Sequence, residues 1–570
     1  MAEFDLSQPQ SRMEKILGTI IKSYNGTLDE PQSRVEAYLN EVAEVVATKD
    51  DLDTNKRNYS TVIVNSTSDL IGKTLVFRHG STDEVSSYVT GNKMTVYLPT
   101  TGLWNVYVDG IGIKTFTANK HSVEINLVGI IKYGYEVHPS IETPEDKVTY
   151  LADCDNANYT PFKMDLTTGV PNYGSWKDSF FMPRSCMLRS NGKVAYYLNE
   201  DDETKKADGT DSDVANKDFD GNAMVEFGSP DGHIIWHKIV PTTDDALGYK
   251  VYVSNYKLDA DYHAWAFHNL NSKLVKHFYL PKYNTSLIDG KFRSLSGQHI
   301  VGKETTTAYN ATQEMNYAKA NGTGWLTETK AQVDLVNILL ILMAKSTNSQ
   351  TAYGNGYVNN SWVNTNLLDT GTANTKGMFY GTSGNVCVKV FGIEHWWGNQ
   401  FRRYAGHMMI NGAQKVKLTY GTEDGSTVAG YNTTGEGYIS LNGLTLSGGD
   451  TEEHHPTIHY GQLRFFASIN NRSSIVPAED LSSGTSGDNG YGNIIYYDNI
   501  GTMYALHGLP DIKDGSRMSS MSISLSHELS ELGYNIPTSF MDVNITCTPA
   551  INELDIEDKY VEPSRPSEPN

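Results

Sequence analysis

The residues best arranged for chemistry run Phe391-Gly392-Ile393-Glu394-His395-Trp396-Trp397-Gly398-Asn399, where a carboxylate, an imidazole and two indoles precede a Gly-Asn turn. Local physics reads this stretch as a core corner. A Trp buries about 150–250 Å² and its indole N–H needs an acceptor, so Trp396 and Trp397 are expected to be structural. Asn216-x-Asp218-x-Asp220-Gly221 begins like a calcium loop, but Phe227 stands where the bidentate Glu belongs, and a polar turn is expected instead. Glu452-Glu453-His454-His455, with His459, carries ligating types, yet adjacent loop residues seldom converge on one ion without a further partner. No metal and no cofactor is therefore expected. A glycosidase needs two carboxylates flanking a sugar; none of the 67 acidic residues stands in a recognisable context for that. The phosphate-cradling, zinc-protease, serine-hydrolase and dinucleotide-binding motifs are all missing. The expectation is a protein that is not an enzyme.

Charge narrows the partners. With 46 basic and 67 acidic residues the net charge is −21. Nucleic acid is excluded, because that affinity comes from cationic neutralisation of phosphates, and anionic membrane surfaces are disfavoured. The four cysteines, Cys154, Cys186, Cys387 and Cys547, form no C-x-x-C pair. They are too few for a disulfide scaffold, which leaves open only a Cys154–Cys186 bridge. The N-terminus MAEFDLSQPQSRMEK lacks a basic segment and an apolar segment, so no leader is expected. The longest apolar run, Val333 to Ala344, carries Asp334 and Asn337 and is too short for a membrane span. The expectation is a soluble protein made in a cytoplasm.

The elements that must position these residues fall into four regions. In 1–50, Pro9-Gln10-Ser11-Arg12-Met13-Glu14 recurs as Pro31-Gln32-Ser33-Arg34-Val35-Glu36, each copy with a capping-box Ser-to-Glu spacing. Apolar residues follow at helical spacing, and Gly26 separates the two copies. A helical hairpin is expected here, too small to bury its stripe alone, and hence an attachment and oligomerisation segment. In 57–130, the runs Thr61–Val64, Thr74–Phe77, Met94–Leu98, Trp104–Val108 and Val123–Leu127, punctuated by glycines, predict a small Ig-like β-sandwich acting as a spacer. Region 150–548 is β-rich, with helices expected over Thr312–Ala320 and Thr327–Lys345, the second apolar enough to be buried. Residues 549–570 form a polar, Pro-rich tail of the kind that stays disordered.

The 391–399 stretch is similar to the G-I-E-N-x-W-G-N element of C-type-lectin-like domains in phage tail proteins. That fold is shared with formylglycine-generating enzymes and phage tropism determinants. Other segments resemble the same group in order: Met182-Pro183-Arg184-Ser185-Cys186-Met187-Leu188, Tyr196-Tyr197-Leu198, Thr204 to Thr210, Ala223 to Phe227, Gly322-Thr323-Gly324-Trp325, Asn348-Ser349-Gln350, and Tyr504-Ala505-Leu506-His507-Gly508. The paired PQSR segments resemble N-terminal attachment regions of tail fibre and baseplate proteins. The resemblance implies a multidomain fold: an α-helical attachment hairpin, the sandwich, then an α+β C-type-lectin-like domain. Cys387 and Cys547 do not stand in the copper-binding context of the formylglycine-generating enzymes, so the enzymatic chemistry is not implied. Gly508-Leu509-Pro510-Asp511 also departs from the family's usual Gly-Gly-x-Trp-like turn.

The resemblance further implies a ligand face on the last third of the chain. Glycans offer hydroxyls and apolar C–H faces, so a receptor for them wants exposed rings beside hydrogen-bonding side chains. Trp362, Tyr491, Tyr496, Tyr497, His507, Asp511, Arg517, Ser520 and His527 are the candidates. The implied function is a receptor-binding protein of a phage tail fibre or baseplate. Residues 1–50 would contact other tail proteins, a homotrimer would form, and the partner would be a bacterial surface glycan or protein. Its location would be the virion tail. A structural tail component without a ligand and a surface-polysaccharide depolymerase are the alternatives.

Overall fold

The computed structural model describes residues 60–445 with short internal gaps, and beyond them only short strand segments between 452 and 546. The paired PQSR segments, residues 1–50, and the tail 549–570 lie outside the described residues. Two compact units divide at Gly129 and Ile130, with Gly110–Ile113 belonging to the second.

The first unit contains seven strands: β1 (Ser60–Ser66), β2 (Thr74–His79), β3 (Asp83–Tyr88), β4 (Lys93–Leu98), β5 (Gly102–Val108), β6 (Ile111–Ala118) and β7 (Val123–Leu127). They form a three-stranded sheet in the order β4-β1-β7 and a four-stranded sheet in the order β3-β2-β5-β6. Each of the five apolar runs of the sequence lies in a strand. Alternation decides which side chains go inside: every second residue of β1 is buried. Val62, Val64, Leu75, Phe77, Trp104 and Val106 are fully enclosed.

The second unit is built on sheets around one helix. Strands β8 (Lys132–Val137) and β9 (Val148–Tyr150) join β15 (Trp236–Pro241) and β16 (Tyr249–Ser254) in the order β15-β16-β8-β9, while β10 (Lys163–Asp165) pairs β11 (Val170–Asn172). A larger sheet runs β13 (Val194–Tyr197), β12 (Arg184–Arg189), β14 (Gly221–Phe227), β17 (Phe278–Pro281), then residues Val543–Thr546 and β20 (Trp325–Thr327). Two short hairpins are β18 (Ser286–Ile288) with β19 (Lys291–Arg293), and β21 (Lys389–Val390) with β22 (Ile393–Glu394). A further sheet carries β23 (Arg402–Ile410), β24 (Ala413–Val416) and β25 (Ile439–Thr445).

Three α-helices occur among the described residues: α1 (Ala311–Lys319), α2 (Lys330–Ala344) and α3 (Ser349–Tyr353). All fifteen residues of α2 are buried. The Thr329 N–H donates to Gln332 Oε1 at 3.0 Å, and the left-handed Lys345 (φ 52°) ends the helix, so capping chemistry sets both boundaries. Val333, Val336, Leu339, Leu340 and Met343 share a core with Trp176, Phe227, Phe278, Trp396 and Trp397.

The fold class read from the sequence is corrected here. Strand accounts for 37% of the described structure and helix for 10%, so it is a mainly-β protein rather than a helical hairpin followed by an α+β domain. The physical reason lies in α2. It is buried on every side, its Lys330, Gln332, Asp334 and Asn337 included, and sits inside the core rather than forming a helical layer against a sheet. The Gly-, Asn- and Tyr-rich stretches around it close into many short sheets. No helix among the described residues is long and apolar enough to cross a membrane.

Candidate functional site

The 391–399 stretch forms the corner its tryptophans predict. Five of its nine residues have left-handed backbone, namely Phe391, Gly392, His395, Gly398 and Asn399. At Gly398 (φ 82°) a Cβ would stand 2.8 Å from the Tyr357 carbonyl oxygen, so only glycine fits. Trp396 Nε1 donates to Asn337 Oδ1 on α2 at 3.0 Å, and Trp397 Nε1 donates to the Gly354 carbonyl at 3.1 Å. Asn399 Oδ1 accepts from the Leu368 N–H at 2.8 Å. Both indoles are completely buried.

Next to the corner lies a buried ion cluster that the sequence reading missed. Glu203 accepts from Lys282 Nζ at 2.5 Å and pairs with Lys389 Nζ at 2.8 Å, and all three side chains are wholly enclosed. Lys282 also donates to Ser185 Oγ (2.8 Å) and to the Gly392 carbonyl (2.7 Å). Glu394 accepts N–H bonds from Gly371 (2.8 Å) and Ala373 (2.7 Å). Burial pulls the Lys282 amine down to about 8 against the opposing pull of Glu203. Burial likewise raises the Glu394 carboxyl, with Lys389 opposing. Two lysines and two glutamates balance, which is how a dry interior tolerates charge. The partners are far apart in sequence, so no local pattern signals them.

A second polar network gathers on the large sheet. Glu226 accepts from Arg184 Nη2 (2.5 Å), Tyr197 Oη (3.1 Å) and Tyr279 Oη (2.8 Å). The Arg184 guanidinium lies 4.0 Å from the Tyr197 ring centroid. Arg184 and Tyr197 reach solvent in part, while the Glu226 carboxylate does not.

A shallow, aromatic-lined recess lies among the described residues. It is lined by Trp265, His268, Thr329, Thr419, Tyr420 and Tyr431, over a floor that includes Leu326 and Leu418, and its free space is about 10 Å³, room for roughly one water. The His263 ring stacks on Trp265 (4.3 Å between centroids), and Tyr420 meets Tyr431 edge-on at 5.6 Å. Thr419 Oγ1 donates to Glu423 Oε2 at 3.1 Å, and burial lowers the His268 imidazole, which keeps it neutral. Apolar ring surface stands there beside hydroxyls, an imidazole and the exposed Glu423 carboxylate, a lining that disfavours anionic ligands. Sequence reading passed over these residues. The run His263-Ala264-Trp265-Ala266-Phe267-His268 was the available signal, but its partners Tyr420 and Tyr431 lie in a distant loop.

Of the sequence-derived ligand residues, Tyr496 and Tyr497 lie on a strand, Ile495–Tyr497, opposite Glu453 and Glu452. His507 ends the strand Thr502–His507, opposite Arg402 of β23. Trp362, Tyr491, Asp511, Arg517, Ser520 and His527 lie outside the described residues. The calcium-loop reading at 216–227 ends in Phe227, a buried strand residue stacked 4.9 Å from Phe278. Cys154 and Cys186 are both buried and are not bonded to each other, so the bridge left open by the sequence is not made.

No protein-family model matches the chain, and no curated protein matches it.

Proposed function

We propose that the chain is a receptor-binding protein of a phage tail or related tail-like particle, attaching it to a glycan on the bacterial surface. The observation that carries this reading is the Trp265–His268–Tyr420–Tyr431 recess with its Thr329 and Thr419 lining. The recess is too small to enclose a sugar ring, so in this reading a glycan lies across its rim, against the half-buried Tyr420 and Tyr431. The resemblance of residues 391–399 to tail-protein elements points the same way. Residues 1–50 attach the protein and gather it as a homotrimer, and the first unit spaces the head. Many copies on one particle raise the effective concentration to the mM range, so weak single sites suffice. The chain is not a depolymerase in this reading. Glu203, Glu394 and Glu226 are 0–2% exposed and cannot flank a sugar; Glu423 beside the recess is exposed, so an assay for released reducing ends decides between the two readings.

The test is binding of the full-length protein to cell-wall glycans, with Tyr420→Ala and Tyr431→Ala as recess variants. Saturable binding that the variants weaken supports the proposal; binding indifferent to both refutes the recess as its site.

One observation favours a second reading, a structural tail component without its own ligand. Tyr88 and Tyr97 of the first unit are 59% and 61% exposed, and Ile71 is 45% exposed. Apolar side chains left bare on a spacer are what a neighbouring tail protein would cover.

A further inference from the structure

We propose that Cys387, Glu394 and His395 form a binding site for one divalent transition metal of the zinc type. A sulfur, a carboxylate oxygen and an imidazole nitrogen from these residues all lie within 4.8 Å of one another. Zinc bonds of about 2.0–2.3 Å at tetrahedral angles set ligand atoms roughly 3.3–3.8 Å apart, so the cluster closes on an ion with a contraction of up to about 1.5 Å. The mixed S, N and O donor set suits zinc or cobalt(II) and is wrong for calcium or magnesium, which take oxygen alone.

The backbone brings the three together. Lys389 pairs with Glu394 and Val390 with Ile393 across the β21–β22 hairpin, and the His395 N–H donates to the Val388 carbonyl at 2.7 Å. That folds Cys387 back beside Glu394 and His395. His395 itself is left-handed, at φ 54°, a conformation uncommon for a residue with a side chain and one that concentrates at ligand sites. The Glu394 carboxylate is already oriented, each oxygen accepting one backbone N–H from Gly371 or Ala373, and each keeps a lone pair for a metal. Outer hydrogen bonds of this kind fix ligands in metal sites. The three residues are 0–4% exposed, and a water would complete the four-coordinate shell that three protein ligands leave open. Binding exchanges the Cys387 thiol proton, released to solvent, for an S–metal bond. The thiolate and the carboxylate face the ion's two charges, and with Lys282 and Lys389 paired to Glu203 beside them the loaded cluster carries one net positive charge. The metal would pin the hairpin that carries Trp396 and Trp397, whatever the protein attaches to.

The experiment titrates metal-free, full-length protein with cobalt(II) as a spectroscopic stand-in and then with zinc. The expected result is one equivalent per chain, with a thiolate-to-cobalt charge-transfer band that zinc abolishes and a higher melting temperature in the metal-loaded protein. Cys387→Ala should lose the band while keeping the wild-type far-UV spectrum, and His395→Ala should weaken binding at least about ten-fold. Absence of the band in folded wild-type protein overturns the proposal without reference to any variant. A band that survives Cys387→Ala overturns it as well.

Discussion

Trp396 Nε1 donates to Asn337 Oδ1 at 3.0 Å, joining the left-handed corner to the central helix with both side chains buried. The bond lies between segments that sequence spacing does not connect. It gives the amide of Asn337, an otherwise misplaced polar group on an apolar helix, a buried partner. Asn337→Leu therefore strands an indole N–H in a dry core. The expected loss is about 1–3 kcal/mol of stability, read from urea unfolding midpoints at unchanged slope.

Glu203 holds two buried lysines, Lys282 and Lys389, at 2.5 and 2.8 Å. Glu203→Gln keeps the shape and removes the charge, leaving two cations against Glu394 alone. Breaking a buried pair from one side costs about 3–5 kcal/mol. Thermal melts of the variant should show a loss of that order; a loss below ~1 kcal/mol would mean that water reaches the cluster.

Lys147 is fully buried by surface area, and burial lowers its amine from 10.5 to about 8. Between those values the unfolded chain binds a proton that the folded chain rejects. Stability should therefore rise with pH across that window and be insensitive to this group below it. Lys282, also lowered to about 8, contributes a rise of the same sign. Lys147→Met should show a shallower rise than wild type in denaturant melts taken across the window.

Much of the β structure was legible because strands advertise themselves by alternation. The run around Val62 and Val64 and that around Leu75 and Phe77 bury those residues and sit in the strands Ser60–Ser66 and Thr74–His79. The apolar run from Val333 was equally visible, and it marks the buried helix; its Thr329–Gln332 cap was not read from the sequence. What misled the fold class was the resemblance, which implied an α+β domain; the helix itself was read as buried, and all fifteen of its residues are. The corner at Trp396 and Trp397 was legible as structure, since indoles demand burial and an acceptor. Neither the Glu203 cluster nor the Trp265–Tyr431 recess was, because each joins segments whose proximity only the folded chain creates. Composition also gave no reason to prefer Tyr420 over Tyr491 in a chain with 35 tyrosines.

In the recess, Tyr420 and Tyr431 are half-buried, so truncating either should spare the fold. Loss of one stacking ring should weaken glycan binding by roughly 1 kcal/mol, about five-fold in Kd. Circular dichroism of each variant should match wild type.

The most direct measurement incubates full-length protein with cells and extracted cell-wall glycans of candidate hosts and assays bound protein and newly released reducing ends in the same tubes. The receptor-binding account predicts saturable binding, weakened by Tyr420→Ala and Tyr431→Ala, with no release of sugar. No binding to any host would contradict it in favour of a structural tail component, and release of reducing ends would contradict it in favour of a depolymerase.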